Sequence, residues 1–76
     1  MNFSGSAPAP AEGAAYVDLD GVRWVVRSIT RSENFPDFYL VHLRFTRADG
    51  AEGTEVYGPR EFAAVVRERG LVATDA

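Results

Sequence analysis

The chain has 76 residues, a formal charge of −3, an isoelectric point near 4.9 and no cysteine. That describes one small domain with neither a disulfide framework nor a thiolate metal site to staple it. An acidic chain has no general attraction for nucleic acid or an anionic membrane, and no apolar run approaches the roughly 20 residues of a transmembrane helix.

Residues 1–15 are low in complexity, and apart from Phe3 they carry almost no bulky apolar side chain. Such a segment cannot bury enough surface to offset its ordering entropy, so it reads as a disordered tail before a single domain over residues 16–76. It lacks the basic and apolar regions of a signal peptide, and a soluble cytoplasmic protein is expected.

Tyr16–Leu19 reads as a short first strand. Asp20-Gly21 then signals a two-residue hairpin, because a type I′ turn needs positive φ at both central positions. Two longer strands follow, over Val22–Arg31 and Phe38–Arg47. They are separated by a loop in which Pro36 bars a central strand. Residues Ala48–Gly53 read as the next turn region, and Thr54–Tyr57 as a short fourth strand.

The helix is the best-marked element. Gly58 fits the N-cap, Pro59 the first helical position and Glu61 the third, where a carboxylate suits the positive helix end. Tyr57 and Phe62 have the spacing of a hydrophobic staple. Gly70 fits the left-handed C′ position, with Leu71 placed to meet Val66 in a Schellman motif. The spacing predicts a helix over 59–69, with Phe62, Val65, Val66 and Arg69 on one face.

The order β-β-β-β-α places the chain in the α+β class, mainly β: an antiparallel sheet of about four strands followed by one helix. The layout Gly21-x-x-Trp24-x-Val26, Leu43-x-Phe45 and Pro59-x-Glu61-Phe62 resembles small bacterial and phage SH3-like modules. That resemblance implies a bent barrel; an open meander fits the same order.

The two long strands are apolar on both faces. Strict alternation puts Val22, Trp24 and Val26 with Tyr39, Val41, Leu43 and Phe45, and the helix is expected to cover that face. It puts Arg23, Val25, Arg27, Ile29 and Arg31 with Phe38, Leu40, His42 and Arg44 on the other. One helix covers one face, so something else must cover or use the second. Arg23, Val25, Arg27, Ile29, Arg31, Leu40, His42 and Arg44 are therefore the candidate partner-binding residues. Barrel closure, or arginine stems laid over the apolar side chains, would account for the same pattern.

No catalytic set emerges. His42 is the only histidine and has neither a cysteine nor a placed serine to activate. Asp18-Leu19-Asp20-Gly21 opens like a calcium loop but lacks the later ligands and the closing glutamate. No cofactor motif is present. The expectation is a non-enzymatic module that binds a protein partner or its own copy. Nucleic acid bound through the same arginines is the alternative, weakened by the acidic charge and by Phe38 being the only aromatic on that face.

Overall fold

The computed structural model describes residues 9–74. Phe3 and the rest of residues 1–8 lie outside the described residues. Five strands and one helix follow in order: β1 (Ala15–Val17), β2 (Arg23–Arg31), β3 (Tyr39–Thr46), β4 (Glu52–Tyr57), α1 (Pro59–Arg69) and β5 (Val72–Thr74). They form one open antiparallel sheet in the order β4-β3-β2-β1-β5. The meander is therefore what forms, and the sheet does not close into a barrel. The expected four strands gain a fifth, because the chain leaving the helix pairs back onto β1.

The β1–β2 and β3–β4 hairpins use three-residue loops, where a two-residue turn was expected at Asp20-Gly21. Asp18 N–H donates to Val22 O at 3.0 Å and Gly21 N–H to Asp18 O at 3.0 Å; Arg47 N–H donates to Ala51 O at 2.8 Å and Gly50 N–H to Arg47 O at 2.9 Å. Only the glycines take positive φ, +80° at Gly21 and +90° at Gly50, whereas a type I′ turn would also require it of the aspartates. Leu19 belongs to the first loop and not to a strand.

The helix spans the residues its end signals mark. Glu61 Oε1 accepts from Gly58 N–H at 2.8 Å, the carboxylate half of a capping box. Gly70 is left-handed at φ 65°, and Leu71 N–H donates to Val66 O at 3.0 Å, the long bond of a Schellman motif. One side of the helix lies on β3 and β4. It buries Phe62 together with Trp24, Val26, Tyr39, Val41, Leu43 and Leu71, and Tyr16, Ile29, Phe45, Tyr57, Val65 and Val66 pack around that cluster. The arginine of the helix face also packs: the Arg69 guanidinium lies 5.5 Å from the centre of the Trp24 ring.

A bulge in β2 decides the faces. Val26 opposes Leu43 and Ser28 opposes His42, leaving Arg27 without a partner across the ladder. Residues that oppose each other share a face, so the extra residue reverses the alternation beyond it. The neighbouring segment is built around the same point. Val26 exchanges backbone hydrogen bonds with Ala14 O and Gly13 N–H, at 2.9 and 2.8 Å. The chain turns at Gly13, φ 87°, and the Glu12 carboxylate accepts from Ile29 N–H at 3.0 Å. Glu12 thus replaces the ladder that β1 is too short to continue.

Candidate functional site

The sheet face away from the helix is the candidate surface, and the register defines its members. Glu52, Thr46, Arg23, Val17 and Val72 form one row across the strands; Thr54, Arg44, Val25, Ala15 and Thr74 form the next. Val56, His42 and Ser28 follow, then Leu40 beside Thr30. Phe38 lies just before β3 and outside the ladder; a Cβ on Gly58, the helix N-cap, would sit 3.5 Å from its ring.

Of the eight residues expected there, Arg23, Val25, Leu40, His42 and Arg44 share this face. Arg27 is the exposed bulge residue at its margin. Ile29 and Arg31 do not belong to it. The bulge brings Ile29 opposite Val41 and Arg31 opposite Tyr39, on the helix-covered side, and Ile29 packs against the core. Strict alternation could not foresee one inserted residue. Strand reading also left out Val17, Val56 and Val72, which add exposed apolar surface at 38%, 49% and 66%. Alternation within Thr54–Tyr57 would have found Val56.

The polar groups on this face are lightly tied. His42 Nε2 and Thr30 Oγ1 share a hydrogen bond at 2.9 Å. Arg44 Nε lies 3.9 Å from Glu52 Oε1, with both side chains about half exposed. A solvated pair at that distance contributes little to stability and leaves the guanidinium available.

The most constrained polar group lies elsewhere. Asp18 is buried; its Oδ1 accepts from Asp20 and Val22 N–H, each at 2.9 Å, and its Oδ2 accepts from Trp24 Nε1–H at 3.0 Å. Burial by itself pushes this carboxyl up, but the bonds from Trp24, Val22 and Asp20 and the Arg69 charge outweigh it, and the group lies below the ordinary aspartate value. Three N–H donors hold the carboxylate as the organiser of the turn. Burial also raises the Tyr16 hydroxyl, and burial followed by the Glu55 charge raises that of Tyr57. Among the described residues no three His, Cys, Asp or Glu side chains group as a metal site. No described helix is long and apolar enough to cross a membrane.

Comparison with protein-family models, with curated proteins and with solved structures finds no match to this chain.

Proposed function

We propose that this domain acts by binding and not by turnover, using the uncovered sheet face to hold a protein partner. The observation that carries the reading is the sidedness of the sheet. Phe62 and the helix cover one side, while the other carries Val25, Leu40, Val56, Val17 and Val72 among arginines, with no described helix on that side. Apolar side chains set among charged ones are what a binding patch requires, with the apolar area giving affinity and the charges orientation. A small domain without staples also gains stability when a partner covers such a surface.

The reading is tested with Val25→Asp and Val56→Asp, chosen on the uncovered face so that the core is spared. Each variant should keep a dispersed amide spectrum and a native melting transition, yet lose any assembly seen by light scattering and any partner retained from its native extract. Retention of all binding by two folded variants would refute the proposal. A nucleic-acid partner would instead appear as oligonucleotide binding that weakens steeply with salt.

A further inference from the structure

We infer that the occupant of this face is an extended, acidic segment of another protein, with carboxylates two residues apart, and not a second copy of this chain. The inference rests on the proposal that this face is the binding surface, and it concerns what fits there.

Charge is the first argument. Arg23 and Arg44 stand on the face and Arg27 at its bulge, all exposed, while Glu52 is the one acid in its rows. Glu12, beside β2, accepts from Ile29 N–H and keeps its charge, so three arginines stand against two acids among the described residues. The face is thus positive on a chain whose charge is −3. Two copies meeting face to face about a two-fold axis would set this positive surface against itself, and like charges so juxtaposed oppose association. An acidic segment meets the opposite sign.

Spacing is the second. Arg44 lies directly across from Val25 and diagonally from Arg23. Diagonal neighbours on one face of an antiparallel pair are about 7–8 Å apart. Residues i and i+2 of an extended chain point to the same side about 6.6 Å apart. An acid-x-acid segment therefore presents carboxylates at about the spacing of the two arginine positions, and each guanidinium can take a bidentate pair. Val25 and Val17 beside them accept apolar side chains at i−2 or i+4 of the segment, on the same side as the two acids. Nucleic acid fits less well: bases need a row of aromatic platforms, and among the described residues the register rows of this face hold no Phe, Tyr or Trp.

The test is an amide-shift titration of the whole isotope-labelled chain with four probes. These are a Glu/Val peptide with Val, Glu, Glu and Val at alternate positions and Ser between them, its Lys/Val counterpart with Lys for each Glu, oligothymidylate, and the chain itself over a concentration series. The Glu/Val peptide should shift the amides of Arg23, Val25, His42 and Arg44, and the Lys/Val peptide should not. Arg23→Glu with Arg44→Glu should weaken that binding about tenfold or more while the fold persists. Equal response to both peptides, response to neither, or tighter binding of oligothymidylate would overturn the inference. So would concentration-dependent shifts of the same amides without ligand. Self-association lost in Val25→Asp would leave the binding-face proposal standing while removing this one, so the two failures are distinguishable.

Discussion

The Trp24 indole N–H donates to Asp18 Oδ2 at 3.0 Å, inside a turn whose backbone N–H groups at Asp20 and Val22 bond the other carboxylate oxygen. One buried side chain thereby fixes the first hairpin loop and the core tryptophan together. The same loop meets the end of the helix, where Leu19 N–H donates to Arg69 O at 3.0 Å and Arg69 lies over Trp24.

Asp18→Asn tests that joint. The amide oxygen can still accept from the two backbone donors, but its NH2 then faces Trp24 Nε1–H, leaving a buried donor unsatisfied at a cost of about 1–3 kcal/mol. The pH dependence carries the sign. The folded carboxyl lies below its ordinary value, so its contribution is fully present above the unfolded value of about 3.9 and is lost as pH falls through the lower folded value. Urea midpoints should separate parent and variant at neutral pH and converge in acid. A gap unchanged into acid would contradict this account.

Gly53 is required by Phe45. The two oppose each other across β3 and β4, and a Cβ on Gly53 would overlap the Phe45 ring. That ring in turn packs 5.1 Å from the Trp24 ring, so it cannot move without disturbing the core. Gly53→Ala should therefore destabilise by about 1–3 kcal/mol. Phe45→Leu beside it should recover part of the loss in a double-mutant cycle. Strictly additive effects would show that the ring is not the obstacle.

Gly50 and Gly70 separate backbone strain from crowding. Both have positive φ, but a Cβ at Gly50 meets open space, whereas one at Gly70 would sit 2.7 Å from Leu19 Cγ. Alanine at Gly50 should cost about 1 kcal/mol, the penalty of left-handed backbone alone. Alanine at Gly70 should cost measurably more, and the excess should vanish when Leu19→Ala is added. Equal melting losses at the two sites would refute the contact.

The helix was legible because every one of its signals is local: Gly58, Pro59, Glu61 and Gly70 act within a turn of the ends they mark. The face shared by Trp24, Val26, Tyr39, Val41, Leu43 and Phe45 was legible for the same reason, since alternation holds as far as Val26. It fails at Arg27, where the bulge coincides with Gly13 turning away and Glu12 reaching Ile29, residues distant in sequence. β5 was not legible because three residues after a helix carry no period; pairing with β1 makes them a strand. Asp18 reads in the sequence as a residue of the first strand, and only the tertiary position of Trp24 makes it a buried carboxylate at the turn.

The bulge itself yields the sharpest prediction about the sheet. Unbroken alternation would make Val25→Asp and Ile29→Asp equivalent, both on the uncovered side. The observed register makes them opposites: Val25 opposes Arg44 on the open face, while Ile29 opposes Val41 and packs on the core. An aspartate at position 25 keeps its charge near water and arginine and should shift stability by no more than about 1 kcal/mol. At position 29 it brings an unpaired charge against fully buried Val41, and several kcal/mol, enough to unfold a domain of this size, is expected. Thermal melts of the two variants decide the matter. Similar melting temperatures would mean that β2 runs without its bulge and that Ile29 belongs with the arginines after all.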